Sequence, residues 1–373
     1  MPKFKPEDLG SIFMISATVL ALILANTTSW YQSFISAPLS LFTLTDSVQG
    51  WTKSALMSIF FLHITLELKY EMVEGFLSNR KHVLLPAVAA LGGMLVPALI
   101  YLGINHQHPE NWGGFAIPCA TDIAFSLCLF HLFGKRLPPS IRVFLLSIAI
   151  FDDLGAILII TLFYNATLHS TPLFISFGIT GILWKLHQYR ITFSLLYLFL
   201  GILLWIALYQ AGMNTTLSGV ILGLCIPLYK KTDVPYLKSV MAHLNPWVQW
   251  GILPLFAFTA SGVLFNTAPN IISDPLILGI GLGLLLGKPL GIFLFSYGLI
   301  RLQWAPIPSL SQYRHIFIIA LLCGFGFTMS LFMGILAFST EIAQNAMKLG
   351  VLLGSTIAAL MAVLVILLTQ NRR

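Results

Sequence analysis

The chain has 373 residues, of which 57% are hydrophobic and only 9% charged, with a mean hydropathy of +0.89. Soluble domains carry about 25% charged residues, so the composition excludes an ordinary soluble protein. A formal charge of +7 would suit a nucleic-acid partner if the basic residues clustered. They are instead spread through alternate loops, so no nucleic acid is expected.

Spanning a bilayer takes roughly 20 apolar residues, and about twelve stretches qualify as candidates. They centre near Ala17, Phe61, Leu95, Ala124, Ile150, Ile179, Leu200, Gly219, Phe256, Leu285, Phe325 and Ala359. Little sequence is left for a soluble domain, and Met1–Arg373 reads as one polytopic unit of membrane helices. Lys3 and Lys5 precede the first stretch, and Arg80 and Lys81 follow the second. Lys135, Arg136 and Arg142 follow the fourth, Lys185 and Arg190 the sixth, and Lys230, Lys231 and Lys238 the eighth. Arg301 and Arg314 follow the tenth, and Arg372 and Arg373 come after the last. The intervening loops are almost free of Lys and Arg, with Lys53 and Lys348 at their edges. This alternation is the positive-inside pattern, and it puts both termini in the cytoplasm. Leu24-Ala25-Asn26 loosely resembles a signal-peptide end, but Glu7 and Asp8 in the leader argue for a retained helix. The four cysteines all fall in apolar stretches without a Cys-x-x-Cys, and read as small buried hydrophobes.

The second stretch ends in His63, Glu67, Glu71 and Glu74, spaced so as to lie close to one helix face. A solvated helix end is one account of them. A pH-sensing mouth is the other, because histidine changes charge near neutrality. In the fourth stretch Pro118, which lacks a backbone donor, stands within a turn of Thr121 and Asp122. The fifth carries Asp152 and Asp153 inside the unbroken apolar run Val143–Phe163. At the bilayer midplane each acid costs roughly 2.5–3.5 kcal/mol, and acids at that depth are commonly ion or proton carriers. Lys288 interrupts the tenth stretch and needs an anionic partner. An ion pair at about 4 Å and an effective dielectric near 20 is worth on the order of 4 kcal/mol, which offsets much of the burial cost. The eleventh contains Gly324, Gly326, Thr328 and Ser330 at mid-depth, a second break.

Adjacent helical residues point about 100° apart, so the two acids cannot serve one small ligand from equivalent positions. One carboxylate then holds Lys288 while the other faces a cavity. Oxygen ligands from Asp153, Asp152 and Thr121 favour a hard cation. Asp122 fits either of two roles, a direct ion ligand or a compensator of the positive half-helix ends at the break, and Lys288 equally suits the negative ends.

Several segments together resemble the NhaA family of bacterial Na+/H+ antiporters. They are Leu66-Glu-Leu-Lys69, Gly92-Gly-Met-Leu-Val-Pro-Ala98, Ala116-Ile-Pro-Cys-Ala-Thr-Asp-Ile-Ala-Phe125, Ile150-Phe-Asp-Asp-Leu-Gly-Ala156, Leu253-Pro-Leu-Phe-Ala-Phe258, Gly287-Lys-Pro-Leu-Gly-Ile292 and Cys323-Gly-Phe-Gly-Phe-Thr-Met-Ser330. Broken helices at matching positions in two halves point to an inverted-repeat transporter, a rule for which this family is itself a type case. The resemblance implies an all-α membrane protein with about twelve transmembrane helices and inverted repeats. Spans four and eleven would cross as broken helices, and spans three to five and ten to twelve would carry the ion. It further implies electrogenic exchange of two H+ for one Na+ or Li+ in the bacterial inner membrane, with no cofactor beyond the transported ions and with subunits paired as a homodimer. Asp153, Asp152 and Thr121 would bind the cation and proton, with Asp152 the partner of Lys288. Asp122 and Lys288 would compensate charge at a break built around Pro118, Gly324 and Gly326. His63, Glu67 and Glu71 would sense pH.

The chain departs from the family at several places. Asn214 stands where the best-known members carry a histidine tied to pH response, and Met241 and Asn245 replace an acid and a histidine. Thr259-Ala-Ser261 replaces a more usual Ala-Asn-Ala. The stretch Tyr31 to Trp51 is shorter than the hairpin segment that pairs subunits in the family. Two other classes find little support. A Na+-coupled symporter would need a substrate-specific segment, and none is visible. An intramembrane aspartyl protease would need Gly-x-Gly-Asp and acids on separate helices. His-Glu-x-x-His is absent as well, which removes a zinc protease.

Overall fold

The structure, a computed structural model, describes residues 6–41, 44–78, 80–134, 137–164, 168–230, 234–265, 273–308 and 311–370. Lys3, Lys5, Lys135, Arg136, Lys231, Arg372 and Arg373 of the charge pattern lie outside the described residues, as do the side chains of Arg80 and Lys81. The helices in chain order are α1 (Pro6–Thr27), α2 (Trp30–Ser36), α3 (Val48–Trp51), α4 (Met57–Val73), α5 (Arg80–Ile104), α6 (Ile123–Phe133), α7 (Pro139–Phe163), α8 (Ser170–Gln188) and α9 (Ser194–Ala211). They continue with α10 (Thr216–Cys225), α11 (Tyr236–Trp247), α12 (Leu253–Ser261), α13 (Pro275–Leu282), α14 (Lys288–Arg301), α15 (Tyr313–Cys323), α16 (Phe327–Ala337) and α17 (Glu341–Gln370).

Among the described residues six helices are long and apolar enough to cross a membrane: Leu9–Thr27, Val83–Ile104, Pro139–Phe163, Ser194–Ala211, Pro275–Arg301 and Glu341–Thr369. Two further pairs qualify together but are bent at a short break, Pro109–Cys119 with α6 by 43° and α15 with α16 by 46°. The molecule is therefore a helical, multi-pass membrane protein with up to eight spans by this measure. The other four stretches expected from sequence, near Phe61, Ile179, Gly219 and Phe256, are also helical but fall short of it. α4 has 17 residues and α10 has 10, α8 ends in the polar Lys185-Leu-His-Gln188, and α11 and α12 are separated by a π turn.

One local departure from an all-helical chain is a hairpin, β1 (Pro38–Leu41) against β2 (Leu44–Ser47), paired Leu39 to Asp46 and Ser40 to Thr45. It lies inside the Tyr31–Trp51 stretch, and Trp51 Nε1 donates to Leu39 O at 2.8 Å. Another departure is the first half of span four. Pro109–Cys119 is a 3-10 helix rather than an α-helix, consistent with Gly113, Gly114 and Pro118 in its sequence.

Proline also explains two π turns. Val248–Ile252 and Gly283–Gly287 end immediately before Leu253-Pro254 and Lys288-Pro289 respectively. The proline supplies no N–H and crowds the carbonyl four residues back, so the preceding turn widens to an i to i+5 bond. The second of these turns delivers Lys288.

The described residues form two compact units. One lies within Met1–Ser29, Asn79–Ala156 and Ala260–Arg373, the other within Trp30–Ser78 and Ile157–Thr259. In the first, α5 and α14 approach backbone to backbone. A Cβ on Gly92 would strike the Gly291 carbonyl, and one on Gly291 the Gly92 carbonyl. Small residues are what lets membrane helices come this close. The second unit has its own apolar cluster, including Leu66, Leu183, Tyr197, Leu204, Leu208 and Leu237.

Candidate functional site

The first unit holds two breaks face to face. The 3-10 helix ends at Cys119, and α6 begins after Ala120-Thr121-Asp122. α15 ends at Cys323, and α16 begins after Gly324-Phe325-Gly326. The two stretches of irregular backbone touch directly, since Asp122 N donates to Phe325 O at 2.8 Å. Phe125 stacks on Phe325 with centroids 3.7 Å apart. At Gly326 a Cβ would lie 2.8 Å from Ala120 O, so this glycine is required by the closeness of the crossing.

Each helix end exposes backbone groups that no water reaches in a bilayer, so side chains and the opposite stretch must supply partners. Asp122 serves the two positive ends. Its Oδ1 accepts from Phe125 N at 3.1 Å, capping α6. Its Oδ2 accepts from Thr328 N at 3.2 Å and Thr328 Oγ1 at 2.6 Å, at the start of α16. Ser355 Oγ of α17 accepts from Gly326 N and Phe327 N at 3.3 and 3.2 Å. These contacts are those of a compensator for helix dipoles.

Lys288, fully buried, serves a negative end. Its Nζ donates to Cys119 O, the last carbonyl of the 3-10 helix, and pairs with Asp152 Oδ2 at 2.8 Å. Thr121 Oγ1 donates its single proton between Asp152 Oδ2 at 2.6 Å and Cys323 O at 3.1 Å. The carboxylate of Asp152 is thus held through one oxygen, and its Oδ1 has no hydrogen-bond partner. Asp153 follows on α7, also 2% exposed. Thr121, Asp122, Asp152, Asp153 and Lys288 are all buried in this unit. The buried set thus holds three acids and one ammonium, and in it the Asp152 carboxylate, bound to Lys288 and Thr121, is chemically able to trade its lysine contact for a proton or a hard cation. Among the described residues no group of three His, Cys, Asp or Glu could hold a resident metal ion.

The other expected residues are placed elsewhere. His63, Glu67 and Glu71 are half-buried along α4 in the second unit. Glu71 Oε2 accepts from Phe76 N at 3.0 Å just past the end of that helix. Glu74 accepts from Tyr229 Oη and lies 3.9 Å from Lys238 Nζ. Asn214 Oδ1 accepts from Thr216 N and Oγ1 at 3.1 and 2.8 Å, at the start of α10. Lys69 donates to Leu224 O and Ile226 O at 2.6 and 2.7 Å, closing the other end of α10.

Some functional partners are not visible in the sequence. The carbonyls of Cys119 and Cys323 act through main chain and carry no residue signature. Ser126 and Ser355 look like ordinary helix serines. Lys348, expected at a loop edge, is instead 4% exposed within α17 and donates to Gly262 O at 3.0 Å. α17 opens at Glu341, after Ser339-Thr340, so Lys348 falls two turns inside the helix and not at a loop edge.

The chain matches the family model described as Na+/H+ antiporter 1 over residues 3–366. It is 44% identical over 364 residues to the Na(+)/H(+) antiporter NhaA of Vibrio cholerae, covering 96% of this chain and 94% of the relative. The protein of the same name from Vibrio parahaemolyticus is 44% identical over 365 residues, with 96% and 94% covered. In fold it is similar to the sodium proton antiporter MjNhaP1 from Methanocaldococcus jannaschii, with a TM-score of 0.58, 16% identity and coverage of 96% and 93%. The resemblance read from the sequence is borne out, and the chain belongs to the Na+/H+ antiporter 1 family, the family of NhaA.

Proposed function

We propose that this chain is a secondary active antiporter, a transporter and not an enzyme, which exports cytoplasmic Na+ or Li+ in exchange for external H+. The observation that carries this reading is the buried Asp152–Lys288 pair beside Asp153 at the crossing of two broken helices. Asp153, Asp152 and Thr121 supply oxygen ligands suited to a hard cation. Asp153 is the carrier, and Asp152 alternates between Lys288 and a proton. Two acids that load and unload together give two H+ per cation and hence electrogenic exchange. Family membership and the names of the relatives support Na+ and H+ as the transported ions.

The same reading takes in about twelve spans in inverted repeats, with both termini cytoplasmic, in a bacterial inner membrane. The gathering of the third to fifth and tenth to twelfth stretches in one compact unit supports their role as the ion-carrying core. pH regulation is assigned to His63, Glu67 and Glu71, and a homodimer to contacts near the Tyr31–Trp51 hairpin. In vesicles, Asp153→Asn abolishes Na+-driven H+ movement on this reading. Undiminished exchange by that variant rules it out.

A further inference from the structure

Hydroxyls inside helices commonly return to a carbonyl of their own helix. Several do so here: Thr18 to Met14 O at 3.0 Å, Thr65 to Phe61 O at 2.7 Å and Thr161 to Ile157 O at 2.7 Å. Two buried serines at the crossing do not. Ser126, four residues after Asp122 on α6, donates to Leu322 O at 2.9 Å. Ser330, four residues after Gly326 on α16, donates to Ile117 O at 2.7 Å. Both are fully buried, and each reaches the first half of the opposite broken pair.

The acceptors lie next to the carbonyls that build the ion site. Leu322 O precedes Cys323 O, on which Thr121 rests, and Ile117 O lies two residues before Cys119 O, on which Lys288 rests. The last carbonyls of a helix have no partner within it, and hydrocarbon offers no water in exchange. The Ser126 hydroxyl adds to a local bond from Phe325 N to Leu322 O at 3.2 Å, so its loss leaves that carbonyl held within its own turn, and loss of either hydroxyl removes a tie between the two broken helices.

We infer that Ser126 and Ser330 are positioning residues for cation binding, Ser126 by fixing the end of α15 against Thr121 and Ser330 by fixing the end of the 3-10 helix against Lys288. The inference rests on the antiporter reading above. Loss of Ser126 moves a cation ligand. Loss of Ser330 loosens the carbonyl that shares Lys288, so the ammonium commits more fully to Asp152 and competes with the cation.

The test is Na+-driven exchange in vesicles with purified protein, together with direct Na+ binding by calorimetry. Ser126→Ala and Ser330→Ala each raise the half-saturating Na+ concentration by about three- to tenfold, the worth of one hydrogen bond, while maximal rate changes by less than about twofold. Ser126→Cys and Ser330→Cys, close in size with a weaker donor, fall between. They also keep the test open if an alanine variant folds poorly. Ser296→Ala is the control, because Ser296 is equally buried and its hydroxyl has no hydrogen-bond partner. Wild-type half-saturation in both alanine variants overturns the inference, as does a fall in maximal rate alone. If Asp153→Asn stops exchange while the serine variants bind Na+ normally, only this inference fails. If Asp153→Asn exchanges normally, the antiporter reading fails first.

Discussion

Lys288 has two partners of different kind, a carboxylate and a helix-end carbonyl, and both matter to its burial. Removing one member of a buried pair leaves an uncompensated charge, at a cost of about 3–5 kcal/mol. Lys288→Ala is therefore expected to lower stability by that order in thermal unfolding in detergent. The double variant with Asp152→Ala loses less than the two single losses combined, a coupling that a double-mutant cycle reads directly. Strict additivity would show that the pair contributes no coupling. The charged members of this site were legible in the sequence because acids and amines at depth are rare. Their partners were not. Thr121 meets Cys323 O and Ser126 meets Leu322 O from far along the chain, and no local pattern encodes that contact.

Elements impose their own requirements. The approach of α5 to α14 depends on Gly92 and Gly291, and Lys288 sits one turn before Gly291 on the same helix. Gly291→Ala pushes α14 away from α5, with an expected destabilisation of about 1–3 kcal/mol and weaker Na+ binding. Gly103→Ala, on α5 with open space around it, is expected to leave binding unchanged and to stabilise by about 0.4–1 kcal/mol. Equal losses at the two positions, measured by thermal unfolding, would show that helix contact is not the cause. At this scale the sequence revealed the breaks, since Pro118, Gly324 and Gly326 interrupt apolar runs. It did not reveal the 3-10 form of Pro109–Cys119, because glycine and proline mark where regular structure stops more clearly than what replaces it.

For the whole molecule, orientation follows from loop charge. With His106→Cys, a membrane-impermeant thiol reagent is expected to label intact cells from outside; with Lys230→Cys, labelling should need permeabilised cells. The reverse pattern would invert the proposed topology. All four native cysteines are buried, so background labelling is expected to be low. Asp122 has a consequence at this scale as well. One carboxylate fastens the start of α6 and the start of α16, like a rivet through two plates. Neither broken helix can slide without carrying the other or tearing out that joint. Whatever motion exposes the ion to alternate sides must move the pair as a single bolt.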